Sequence, residues 1–79
     1  MVYILYSNDF DKYYVGMCTD IERRLQQHNA GASKSTKAFR PWKLIYSEVY
    51  ESRQEARKRE KYLKSGAGRE WRARNLHRH

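Results

Sequence analysis

Val2-Tyr3-Ile4-Leu5-Tyr6 and Tyr13-Tyr14-Val15-Gly16 are the stretches whose reading decides the fold. Both are β-branched and aromatic, and such side chains pack well on a pleated surface. The residues between them, Ser7-Asn8-Asp9-Phe10-Asp11-Lys12, are rich in turn formers. Together they read as a β-hairpin, with strands over 2–7 and 13–17. In a hairpin of this length Tyr3 and Tyr14, eleven positions apart, are expected to come close on one face.

Working outward, Thr19-Asp20-Ile21-Glu22 reads as a capping box, with Thr19 at the N-cap and Glu22 three positions on. The helix it opens carries Ile21, Leu25 and His28 on one side, and Gly31 stops it. Residues 32–40 read as a polar, basic loop. Pro41 begins an extended stretch to Tyr50, in which Trp42, Leu44 and Tyr46 alternate imperfectly with Lys43 and Ser47. A second capping box, Ser52-Arg53-Gln54-Glu55, opens a helix that Gly66 and Gly68 are expected to close, and a short terminal helix is expected over 69–77 around Trp71. No repeat and no long linker interrupts the chain, so one domain over 1–79 is expected. The element order (β-β-α-β-α-α) implies an α+β fold, a small three-stranded antiparallel sheet flanked by helices.

A chain of 79 residues sits near the lower limit for a single hydrophobic core, and seven tyrosines and two tryptophans supply much of its apolar volume. The net charge of +8 is unevenly spread. Residues 1–31 hold three basic and four acidic side chains, residues 32–79 fourteen basic and five acidic. Such an excess attracts polyanions, nucleic acid first; a merely solvated basic face is the alternative. A single cysteine, Cys18, excludes an intramolecular disulfide and a multi-cysteine metal site. No apolar run has the length of a membrane span and no export signal is apparent, so a cytoplasmic (intracellular) protein without a membrane partner is expected.

Several side chains have chemistry to offer. Arg24 and His28 are i and i+4 on one helix and share a face. An arginine can fork onto phosphate oxygens at any working pH, and a histidine beside it can donate to phosphate or shuttle a proton. At 100° per residue Ala56, Glu60, Leu63 and Ala67 fall within a stripe about 60° wide. A carboxylate there needs a cation or donors, and an ion pair with an arginine or with Lys64 would serve as well as a metal. Lys34, Lys37, Arg40 and Lys43 flank the basic loop as candidate phosphate contacts. At the end of the second strand Gly16 leaves room for a phosphate backbone or a helix start to approach. Strand tyrosines are ordinarily packing, the expectation for Tyr6, Tyr13, Tyr46 and Tyr50.

The joint spacing of Tyr3, Tyr14, Gly16, Arg24, His28 and Glu60 resembles the GIY-YIG nuclease domain over nearly the whole chain. The resemblance implies the fold just described and assigns the essential arginine to Arg24, ten residues beyond Tyr14, with His28 as its frequent histidine. It implies that Tyr3 and Tyr14 take a proton from water or place that water. A phenol has a pKa of about 10, and a nearby metal and arginine would favour its deprotonated form. Glu60 would bind the metal, and Asn75 would orient the scissile phosphate or support the fold. The implied activity is a divalent-metal-dependent DNA endonuclease of low sequence specificity, acting on duplex or branched DNA, with a role in repair or recombination. One carboxylate cannot cage a metal, which favours Mg²⁺ or Mn²⁺ over zinc. The chain departs from the family pattern at Met1, Val2 and Val15, and at Met17 where many members carry a lysine. A non-catalytic nucleic-acid-binding module, or a subunit active only with a partner, is the alternative reading.

Overall fold

The structure, a computed structural model, describes residues 1–76. Strands β1 (Val2–Ser7) and β2 (Lys12–Met17) form the expected hairpin. Asp11 takes the left-handed turn position at φ 51, which a short polar side chain tolerates. Strand β3 (Lys43–Glu48) pairs antiparallel with the other edge of β1, giving the order β2-β1-β3. The central strand is therefore covered on both faces, which explains why Val2, Tyr3, Ile4 and Leu5 run apolar without alternation.

Each face has its own core. Val2, Ile4 and Val15 pack with Ala56 and Leu63, while Tyr3 and Leu5 pack with Trp42, Leu25 and Ile21. Strand β3 serves both. Ile4 pairs with Tyr46 and the next residue, Leu5, with Leu44, so Ile45 is an extra residue, a β-bulge. The bulge places Leu44 on the Tyr3 face and Tyr46 on the opposite one. That is the physical origin of the imperfect alternation in the sequence.

Helix α1 (Ile21–Asn29) covers the Tyr3 face. Its N-cap is Asp20 rather than Thr19: the Asp20 carboxylate accepts the Arg23 N–H at 3.2 Å. A charged acceptor also complements the positive end of the helix. Gly31, at φ 83, turns the chain away after the helix, as expected. Within the expected loop over 32–40 lies a one-turn helix, α2 (Lys34–Lys37). It forms because Thr36 is drawn into the core, fully buried, with its carbonyl accepting the Trp42 indole N–H at 2.8 Å.

Helix α3 (Arg53–Lys64) begins at the expected Ser52 cap, which accepts the Glu55 N–H. It packs against β2, β1 and helix α4 (Gly66–Asn75). Gly66 and Gly68 open α4 instead of closing α3. The break falls at Ser65, whose extended backbone (ψ 176) ends one helix while its hydroxyl accepts the Gly68 N–H to start the next. Ala67 is thereby removed from the Ala56–Glu60–Leu63 stripe and is exposed. The expected terminal helix over 69–77 thus starts earlier and ends at Asn75; His77 lies outside the described residues.

On the α3 face Glu48 ties the sheet to the helices. It accepts the hydroxyls of Tyr46 and Tyr50 and a two-pronged guanidinium from Arg59, at 3.0 and 3.2 Å. Arg59 in turn lies over the rings of Tyr62 (4.9 Å) and Trp71 (5.1 Å). Burial opposes ionisation of Glu48, but these hydrogen bonds and the Arg59 charge outweigh it and hold its carboxyl below the ordinary range. Tyr46 and Tyr50 therefore do more than pack. Among the described residues no helix is long and apolar enough to cross a membrane.

Candidate active site

The hairpin register builds the site. Tyr3 lies directly opposite Gly16, and Leu5 opposite Tyr14, so the two phenols are diagonal neighbours with ring centroids 6.3 Å apart. The Tyr3 ring folds over Gly16: a Cβ at that position would stand 2.5 Å from the Tyr3 hydroxyl and 2.6 Å from Cζ. The open side of Gly16 is thus filled by Tyr3. Tyr3 is 1% exposed, whereas Tyr14 is half-buried and opens to the surface.

Helix α1 brings His28 and Arg24 over this pair. His28 is fully buried, edge-on to Tyr14 at 4.9 Å, with Nε2 3.0 Å from the Tyr3 hydroxyl and Nδ1 2.8 Å from the Thr36 hydroxyl. Arg24, one turn earlier, is half-buried and donates to Gln27 Oε1 at 3.0 Å. Its guanidinium faces both phenols. Hydrogen bonding to the Tyr3 hydroxyl is the largest reason its pKa is raised, against burial, which lowers it.

The electrostatics separate the two tyrosines' neighbours. Burial pushes the Tyr3 phenol up to about 12, and the hydrogen bond from Arg24 only partly offsets it. With these neighbours alone, Tyr3 is a phenol at neutral pH. His28 is pushed below the ordinary histidine range by burial and then by the Arg24 charge, so it is a neutral imidazole.

Arg24 also lines a groove of about 580 Å³ between the starts of α1 and α3. Arg23 and Gln27 form one wall, Ser52, Arg53 and Ala56 the other, and Cys18 lies between them, its thiol pushed up by burial. Arg23, exposed, shares this groove with Arg24. Glu60 is one turn beyond Ala56 on α3, half-buried, and pairs with Lys64 at 3.4 Å. No hydrogen bond or ion pair joins it to the tyrosines among the described residues. Nor does any group of three or more His, Cys, Asp or Glu among them gather to hold a metal. A lone carboxylate such as Glu60 could hold a cation only where water and phosphate oxygens supplied most of the ligands.

The remaining candidates stand apart from Tyr3, Tyr14, Arg24 and His28. Lys34 and Lys37 are exposed on α2. Arg40 donates to the carbonyls of Lys37 (2.9 Å) and Asn29 (3.5 Å), strapping α2 to the end of α1. Asn75 donates to the Trp71 carbonyl in the last turn of α4. Two supporting residues, Thr36 and Asn29, carry no local mark in the sequence. Thr36 sits in the supposed loop, and Asn29 clasps the Trp42 backbone on both sides, at 2.6 and 3.0 Å. No local periodicity marks contacts of this kind.

Residues 1–74 match the GIY-YIG catalytic domain. Similar proteins include a UPF0213 protein of Listeria welshimeri, 48% identical over 63 residues, which covers 78% of this chain and 69% of the relative. A UPF0213 protein of Streptococcus agalactiae is 44% identical over 64 residues (80% and 72%), and one of Staphylococcus aureus 42% over 65 (81% and 78%). No solved structure matches. With the family match spanning nearly the whole chain, and the motif tyrosines, arginine and histidine assembled on one sheet face, the chain belongs to the GIY-YIG family of nuclease-type catalytic domains.

Proposed function

We propose that this protein is an endonuclease that hydrolyses DNA phosphodiester bonds with the help of one divalent cation, Mg²⁺ or Mn²⁺. The observation that carries the reading is Arg24, a permanently charged guanidinium held by Tyr3 and Gln27 at the wall of an arginine-lined groove. An arginine placed this way binds a non-bridging phosphate oxygen and stabilises the charge that builds there during attack. Tyr14, the more exposed phenol, is the tyrosine that can reach and align the attacking water. Tyr3, buried and protonated, keeps its proton. Glu60 would hold the metal, whose charge neutralises the phosphate and the departing 3′ oxygen. The basic side chains of α2 would grip backbone phosphates, contacts that position a duplex or a branched substrate without reading its bases. Low sequence specificity follows, and a role in repair or recombination suits it.

The test is cleavage of plasmid and branched DNA with Mg²⁺, Mn²⁺ or EDTA, comparing the natural chain with Glu60→Gln. Metal-dependent cleavage, abolished by EDTA and by Glu60→Gln with DNA binding retained, is expected. If Glu60→Gln melts the domain but leaves activity per folded molecule unchanged, Glu60 serves only its pairing with Lys64. That pairing, and Met17 at a position often lysine in the family, favour one second reading: a module of the same fold that binds nucleic acid without turning it over. Salt-sensitive binding with no cleavage under any metal would establish it.

A further inference from the structure

The Tyr3–His28 hydrogen bond is one link of a longer chain whose inner end is the Thr36 hydroxyl. The Thr36 hydroxyl has a single proton to give, and it stands 3.4 Å from the Ser33 carbonyl, which can only accept, and 2.8 Å from His28 Nδ1, which can accept or donate. With its proton given to Ser33, Thr36 presents a lone pair to His28 Nδ1. In that arrangement Nδ1 carries the imidazole proton, and Nε2 the lone pair. The Tyr3 hydroxyl, 3.0 Å from Nε2, then donates inward. Its proton is thereby committed, and the Tyr3 oxygen faces Arg24 with lone pairs only, the one arrangement a guanidinium with no acceptor can use. From Arg24 to Ser33 every bond runs the same way. Had Nε2 carried the proton, the Tyr3 oxygen would accept from the imidazole, and its own proton would find no acceptor in His28 or Arg24.

We propose that Thr36 is a positioning residue: by fixing the Nδ1–H tautomer of His28 it keeps Tyr3 an acceptor for Arg24 and so aims the guanidinium at the scissile phosphate. Only the last link rests on the nuclease reading; the tautomer does not. The surroundings agree with this role. Thr36 and His28 are both fully buried, Tyr3 is nearly so, and Trp42 closes over Thr36 through its indole N–H. In such a site an unmet donor or acceptor is costly, so the chain has few alternatives. This also accounts for the one-turn helix α2, which exists to deliver Thr36 to the imidazole.

The experiment is ¹⁵N–¹H long-range correlation of the His28 ring in the full chain, above the ordinary histidine pKa, alongside cleavage kinetics for Thr36→Val and Thr36→Ser. The natural protein should show Nδ1 protonated; an Nε2–H tautomer overturns the proposal outright. Thr36→Val, which keeps the shape but removes the acceptor, should shift the ring toward Nε2–H and lower kcat/KM by about 10- to 100-fold, the scale of a misaimed catalytic group. Thr36→Ser should restore both. Unchanged tautomer and unchanged kinetics in Thr36→Val also overturn the proposal. Should Thr36→Val fail to fold, the tautomer of the natural chain and of Thr36→Ser still decides. If the natural protein cleaves no DNA, the nuclease reading falls by itself, and the tautomer measurement stands.

Discussion

Replacing Gly16 by Ala places a methyl group where the Tyr3 phenol now lies. On the present backbone the new Cβ stands 2.6 Å from Tyr3 Cζ and 3.1 Å from Tyr14 Cε1. Carbon atoms pack at about 3.5–4.0 Å, so the ring must retreat by about 1 Å. It has nowhere to go, because Tyr3 sits on the central strand, paired with β2 on one side and β3 on the other, and is 1% exposed. Overpacking of this kind costs about 1–3 kcal/mol. Pulling the hydroxyl away from His28 leaves Nε2 buried without a donor, about 1–3 kcal/mol more. Against this stands about 0.4–1 kcal/mol gained by stiffening the unfolded chain. The net loss is about 1–5 kcal/mol, and its middle value lowers Tm by an amount on the order of 10–20 °C for a domain of this size. Thermal unfolding followed by circular dichroism measures it, and cleavage below the new Tm should also fall because Arg24 loses its acceptor. In a Tyr3→Leu background, where Cζ and the hydroxyl are gone, the same change should cost under about 1 kcal/mol, since neighbouring sites couple. A Gly16→Ala protein as stable and active as the natural one would refute the argument that this glycine exists for Tyr3.

Two further outcomes follow from other parts of the molecule. DNA affinity should fall steeply between roughly 50 and 200 mM salt, and Lys34→Ala with Lys37→Ala should weaken binding equally for unrelated sequences and flatten the salt slope; a fluorescence anisotropy titration reads both, and a flat response removes the nucleic-acid reading. Arg59→Ala should cost about 1–3 kcal/mol by chemical denaturation, because it strips charge-assisted bonds from Glu48. The folded-state pKa of Glu48 is depressed, so its contribution is complete above the ordinary carboxylate range and is lost as pH falls through the folded value. The acid loss of stability should accordingly be shallower in Arg59→Ala, and an unchanged profile would assign the depression to Tyr46 and Tyr50 instead.

What could be read from the residues in order was whatever a local pattern encodes. The hairpin was legible because Tyr3 and Tyr14 stand in β-branched runs on either side of turn formers, and α3 because Ser52 is followed by Glu55. Arg24 and His28 were legible as a pair because helical spacing puts them on one face. Thr19 misled because two adjacent residues could cap the same helix, and the carboxylate of Asp20 binds the more strongly. The bulge at Ile45 left only a broken alternation, whose cause is the pairing with β1. Thr36 and Asn29 left no trace, since each matters through a partner that the fold, not the sequence, brings near. The glycines at 66 and 68 suggested a helix end, and the backbone uses them for a helix start because Ser65 had already broken the chain.

The two sheet faces own one tryptophan each: Trp42 packs beside Tyr14 on the α1 side, and Trp71 lies under Arg59 and edge-on to Tyr46 on the α3–α4 side. The molecule thus carries two intrinsic fluorophores on opposite sides of a single layer of strands. Trp71→Phe leaves emission that reports on the Tyr14 neighbourhood, and Trp42→Phe leaves emission that reports on the docking of the two C-terminal helices. Occupancy of one side and loosening of the other become separate optical signals, without any attached dye.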